Sequence, residues 1–153
     1  MKNNDAISLL VQDHREVNAK FEEFFALEDR SDVRKKMLAD EICDALTVHT
    51  HIEEDIFYPA AREATGDHAL MDEALVEHAS AKELIAQISA MAPDEELYDA
   101  KVKVLSEQIT HHVREEESDM FPKVRQTTLD LIGLGAAMSK RKQALQTEAY
   151  SRT

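Results

Sequence analysis

Two stretches of the chain carry histidine and carboxylate at one spacing. Residues 47–62 read TVHTHIEEDIFYPAAR and residues 110–125 read THHVREEESDMFPKVR. Aligned on His49 and His112, six positions are identical: threonine, histidine, two glutamates, proline and arginine. Glu53 lies four residues after His49, and Glu116 four after His112. On a helix, residues at i and i+4 share a face one turn apart. Each pair therefore offers an imidazole and a carboxylate to the same point. A weaker repeat joins His14, in QDH, to His78, in VEH, at an offset of 64, each preceded by an acid.

Burying four imidazoles and two carboxylates without partners is very costly. A metal removes that cost. Four nitrogen and two oxygen ligands without sulfur suit iron, manganese or zinc and disfavour Cu(I). One structural zinc needs only four ligands. Six ligands related by a two-fold suit two metals, each held by two histidines, with both glutamates bridging and a position open to a small molecule. His51 lies about 200° from His49 around the helix, and His111 about 100° from His112. With His68, these read as solvated. Glu54 and Glu117 are duplicated too and read as a solvated flank, the other reading being outer support or alternate ligation. Phe57 and Met120, four residues after the glutamates, stay on the metal face as core residues that wall it off.

These six residues need four helices around one level. Apolar residues recur at helical spacing almost throughout. Ile7, Leu10, Val11, Val17, Phe21, Phe24 and Phe25 mark a first helix from about Asp5 to Asp29. A second covers roughly Val33 to Ala64, with Asp32 as N-cap and Met37, Leu38, Ile42, Ala45, Leu46 and Ile52 inward. Gly66 suits a C-cap and Asp67 an N-cap for a third helix from about His68 to Met91. A fourth runs from near Glu95 to about Gln126, and Pro59 and Pro122 kink or end the second and fourth. A shorter fifth helix follows Thr127, capped by Asp130 and weakened by Gly133 and Gly135, before a frayed TEAYSRT end. The basic stretch SKRKQALQ reads as a solvated helix face. At roughly 1.5 Å rise per residue, the four histidines fall at one level to within about a turn.

The expectation is an all-α fold: an up-down-up-down four-helix bundle with an internal pseudo-two-fold and a short C-terminal helix. It forms one domain over residues 1–153, with a core bundle at 5–126 and an extension at 127–153. The net charge of −13 argues against nucleic acid and anionic membrane surfaces as partners. One cysteine, Cys43, builds neither an internal disulfide nor a thiolate cluster. No signal-peptide core or transmembrane stretch appears, so the cytoplasm is the expected location. No Glu-x-x-His pair, zinc-protease motif or glycine-rich phosphate loop occurs.

These residues resemble the hemerythrin-like family, the HHE cation-binding domain. The resemblance rests on DH in the first helix, HTHIEEDIFYPA in the second, EHASAKELI in the third and HHVREEESDMFPKVR in the fourth. It covers about residues 5–126 and implies a four-helix bundle around a non-haem di-iron centre. By that resemblance His14, His49, Glu53, His78, His112 and Glu116 are the ligands of two iron ions, oxo- or hydroxo-bridged. The oxygen carriers of the family place a second ligand histidine four residues away on the third helix. Here those positions hold Lys82 and Ala74. Their fourth-helix aspartate is replaced by Glu117, with Glu116 one residue before it. The chain thus looks like the four-His, two-Glu bacterial subgroup, which points away from reversible oxygen carriage. The expected function is binding or reducing a small oxidant: dioxygen, peroxide or nitric oxide. The rival readings are an oxygen or iron sensor without turnover, and a structural bundle that binds cations incidentally.

Overall fold

Polar side chains at the turns decide where each helix begins. The computed structural model describes residues 4–27 and 31–151, the side chains of 149–151 excepted. Asp5 receives the Ser8 amide at 2.8 Å and starts α1, Ala6–Leu27. The end expected at Asp29 falls outside the described residues. Ser31, not Asp32, caps α2, Asp32–Ile52, by accepting the Arg34 amide at 3.2 Å. A β-region Ser at that position satisfies an otherwise unpaired amide of the first turn. After α3, Tyr58–Thr65, Gly66 takes φ 70°, a conformation that favours glycine, and Asp67 caps α4, His68–Ser89, through the Leu70 amide. α5, Tyr98–Glu115, starts three residues later than expected, because Glu95 closes a turn on the Ala92 and Tyr98 amides. α6 spans Phe121–Arg125. α7 spans Leu131–Ser151, with Asp130 accepting the Gly133 amide at its start.

The prolines do not simply kink the long helices. Residues Glu53–Phe57 and Glu116–Met120 form single π-helical turns, each directly before an α-helical segment with proline at its first turn. Proline has no N–H, so the ladder loses a donor there. The Tyr58 amide bonds the Glu53 carbonyl and the Phe121 amide bonds that of Glu116, five residues back in each case. Each turn therefore holds one extra residue.

α1 pairs with α2, and α4 with α5, in an up-down-up-down bundle, and the two hairpins repeat each other. Two apolar clusters fill the interior. One contains Leu10, Ile52, Phe57, Met71, Met120 and Phe121. The other contains Val17, Phe21, Leu46, Ala81, Tyr98 and Leu105. Between them along each of the four bundle helices sits a histidine: His14 between Leu10 and Val17, His49 between Leu46 and Ile52, His78 between Ala74 and Ala81, His112 between Leu105 and Met120. Phe25 and Met37, expected inward, are 41% and 45% exposed.

α7 packs along α1 and α2. Gly135 allows this approach: a Cβ there would lie 2.7 Å from the Asn4 carbonyl oxygen and 2.8 Å from the Ala6 nitrogen. Met138 is fully buried beneath the helix. The expected solvated face of SKRKQALQ is partly engaged, since Lys142 reaches Asp13 at 2.6 Å. α7 continues to Ser151, and the last two residues lie outside the described residues. Among the described residues no helix is long and apolar enough to cross a membrane.

Candidate metal centre

The six residues singled out by the repeat meet in the layer between the two apolar clusters. His14, His49, Glu53, His78, His112 and Glu116 are all buried. The His14 and His49 rings are 5.0 Å apart, and those of His78 and His112 4.8 Å. One oxygen of Glu53 lies 3.3 Å from His49 Nε2 and 3.0 Å from His78 Nε2. Glu116 splits its oxygens, one 3.1 Å from His14 Nε2 and the other 3.3 Å from His112 Nε2. Each glutamate thus spans both histidine pairs.

Outside this layer every histidine has its own carboxylate. His14 Nδ1 lies 2.7 Å from Glu117, His49 Nδ1 2.9 Å from Asp13, His78 Nδ1 2.7 Å from Glu54, and His112 Nδ1 2.6 Å from Glu77. A carboxylate on Nδ1 fixes the proton there and leaves Nε2 as the inward donor atom. These outer carboxylates obey the repeat as well. Asp13 and Glu77 are offset by 64, and Glu54 and Glu117 by 63. Each sits next to a member of the inner six and reaches across to a different helix. Glu54 and Glu117 are therefore not a solvated flank. Asp13 and Glu77 escaped the sequence reading, although the acid before each histidine was a visible signal.

Tyr58 is the other residue that the spacing did not reveal. Its hydroxyl oxygen lies 2.5 Å from Glu116, 3.1 Å from Glu53 and 3.2 Å from both His78 Nε2 and His112 Nε2. Regular α-helix would bring Phe57, four residues on, over Glu53. The π turn brings the fifth residue round instead. Phe57 stays in the core, edge-on to Phe121 at 5.6 Å. His51, His68 and His111 are exposed, as expected. A third cluster, Glu77, His111 and Glu115, lies at the surface, and its Glu77 already serves His112.

The centre holds like and unlike charges away from the surface. Burial opposes charge on His49, but Glu53 and Asp13 outweigh it and hold its pKa well above the usual range. His112 is raised to about 10, burial again being overcome, here by Glu116. Burial opposes the charge on Glu116 too, yet His112 holds its carboxyl well below the usual range. Burial, then Glu116 and Glu53, pushes Tyr58 well above 10, so it stays a phenol and donates. The neighbouring carboxylates thus favour the protonated ring at His49 and His112. Even so, His14 Nε2, His49 Nε2, Glu53 Oε2 and Glu116 Oε1 are buried with no hydrogen bond. Four orphaned donor atoms at one point fit a cation, as does the N/O donor set.

A cavity of about 20 Å³ opens against the four histidines, walled by Val17, Leu46, Ile109 and Val113. A wider recess of about 210 Å³ between α1 and α5 shares His14, Ile109 and Val113 with it. A recess of about 1040 Å³ between α1 and α7 includes none of the six.

Comparison with known proteins bears on the fold and the family. A solved structure, an HHE cation-binding domain-containing protein from Mycobacterium kansasii, superposes with a TM-score of 0.82 over 97% of this chain and 91% of its own, at 24% identity. That likeness speaks to the fold. A curated relative from Nostoc sp. strain PCC 7120, named a DNA nickase, is 31% identical over 143 residues. The match takes in 90% of this chain but only 40% of that protein. The family model of the hemerythrin HHE cation binding domain matches residues 5–124. The chain belongs to the hemerythrin HHE cation-binding domain family.

Proposed function

We propose that this protein is a non-haem di-iron protein of the cytoplasm that binds or reduces a small oxidant: dioxygen, peroxide or nitric oxide. His14 and His49 would hold one iron and His78 and His112 the other, with Glu53 and Glu116 within reach of both pairs. The observation that carries this is the convergence of buried, unsatisfied Nε2 and carboxylate atoms on one layer. Bound iron would supply the one-electron chemistry. The chain's part is to orient four Nε2 lone pairs through the outer carboxylates, and to exclude water with the two apolar clusters. The pocket of about 20 Å³ has room for a molecule of water or diatomic size.

Metal analysis of the purified protein tests the reading. About two irons per chain, with near-ultraviolet bands of a bridged pair, are expected. One zinc and no iron after growth with ample iron would overturn it.

A specific observation favours a second reading, binding without turnover. Besides the four histidines, the polar residues described at the pocket wall are Asp13 and Thr50. Asp13 is engaged by His49, and the Thr50 hydroxyl donates to the Thr47 carbonyl at 3.0 Å. Neither is a free proton donor for an oxidant. Peroxide consumption that vanishes in His49→Ala supports an enzyme, and a stable adduct without consumption supports a sensor or carrier of the ligand. The activity in the Nostoc relative's name belongs to a protein more than twice the matched length. With a charge of −13, this chain is not proposed to bind DNA.

A further inference from the structure

The four outer carboxylates are not equally placed. Glu54, Glu77 and Glu117 have side chains 23%, 22% and 40% exposed, whereas that of Asp13 is only 7% exposed. Water can solvate the first three, but Asp13 depends on protein partners. It has two. Oδ2 accepts from His49 Nδ1 at 2.9 Å, and Oδ1 accepts from Lys142 Nζ at 2.6 Å.

Lys142 comes from outside the bundle. It sits on α7 four residues after Met138, so the two share a face. Met138 is fully buried, and the close approach at Gly135 brings the helix down onto α1. The ammonium group is thereby aimed at Asp13 from a rigid element. The repeat supplies a comparison within the same molecule. Glu77, the counterpart of Asp13, meets no lysine among the described residues; its outer oxygen faces the exposed His111 at 3.6 Å.

We propose that Lys142 is a positioning residue for the histidine centre: it holds Asp13, and through Asp13 it sets the orientation and donor strength of His49. The proposal rests on the metal reading of the inner six residues. Without the ammonium group the buried Asp13 carboxylate loses one of its two partners, and the His49 ring that it orients is less firmly held. α7 therefore belongs to one half of the centre and not to the other. The lysine behind Glu54 in the other half, Lys82, lies on α4 itself, so only the His49 half has a support from outside the four-helix bundle among the described residues.

The test uses the full chain freed of metal and titrated anaerobically with Co(II). The parent is expected to take up two ions. In Lys142→Met one of the two should bind about tenfold or more weakly, with altered visible bands, and the other as in the parent. Lys142→Arg should restore both. Arg141→Met, on the same helix and 3.7 Å from Asp55, should leave both unchanged. Parent-like affinities and bands in Lys142→Met would overturn the proposal. So would an equal weakening of both ions that Arg141→Met reproduces, because that reports only the docking of α7. A second readout needs no metal: the His49 ring-nitrogen resonance of the apoprotein should move in Lys142→Met while that of His112 does not. If the parent takes up no metal, the di-iron reading fails, and this resonance still decides whether Lys142 positions His49.

Discussion

Tyr58 and Phe121 stand at equivalent places in the two halves, each five residues after a glutamate and directly before a proline, yet they do different things. The Tyr58 hydroxyl touches both glutamates and two histidines. The Phe121 ring stacks on His14 at 6.0 Å and 4°. The backbone of the centre is symmetric, and its chemistry is not. Tyr58→Phe keeps the buried ring and removes only the oxygen. It should lower the stability of the metal-free protein by about 1–3 kcal/mol, the cost of leaving buried partners unmatched. Denaturant unfolding of the apoprotein measures this. Unchanged stability would mean that the glutamates do not depend on the phenol.

Glu53 lies within reach of both histidine pairs, whereas His68 is exposed. Glu53→Ala should reduce the metal bound per chain, and His68→Ala should leave it at the parent value. Elemental analysis of both variants distinguishes them. Equal loss in the two would show that the inner six are wrongly chosen.

Glu54 holds His78 and is itself held by Lys82 at 2.8 Å. Glu54→Gln and Glu117→Gln should each weaken metal affinity by about 10- to 100-fold while the helical content stays that of the parent. Chelator competition provides the measurement. Parent-like affinity in both would return these residues to the solvent-facing role first expected of them.

Ile109 lines both the small cavity and the wider recess. Ile109→Phe should slow and weaken nitric oxide binding to the metal-loaded protein without altering its metal content. Stopped-flow spectroscopy reads the rate. An unaltered rate would place the entry route elsewhere.

Asp5 ties the start of α1 to α6 by accepting from Arg125 at 2.9 Å, and it caps α1 through the Ser8 amide. Burial by itself raises its pKa, but Arg125 and Ser8 outweigh that, and the carboxyl lies below its ordinary value. A lowered folded pKa contributes stability that is complete above the unfolded value of about 3.9. The contribution is lost as pH falls through the folded value. Asp5→Asn should therefore cost about 1 kcal/mol at neutral pH, with the difference from the parent closing below about pH 4. A difference that persists into strong acid would assign the loss to another cause.

The six inner residues stand out as a set in the chain's own pattern, as does the bundle that brings them together. Helical period, turn residues and a repeat with an offset of 63 are all local properties of the chain. Spacing of four on a helix is enough to place His49 with Glu53, and His112 with Glu116, because the geometry is that of one turn. The same rule misplaced what lies beyond the glutamates. Pro59 and Pro122 each insert a π turn, so the residue that comes round is Tyr58 and not Phe57. One extra residue in a turn leaves no periodic trace in the apolar pattern.

What each acid does depends on how the helices pack. Asp13, Glu54, Glu77 and Glu117 all look like surface carboxylates along their own helices, since their partners lie on neighbouring ones. The same holds for Lys142, which stands 129 residues from Asp13 in a stretch that reads as exposed and basic. A side chain's own helix determines the face from which it leaves, and the packing of the next helix determines what it meets. The ligand-type residues were legible because a single helix pairs them. Their supports, and the asymmetry between Tyr58 and Phe121, depend on contacts that no single helix contains.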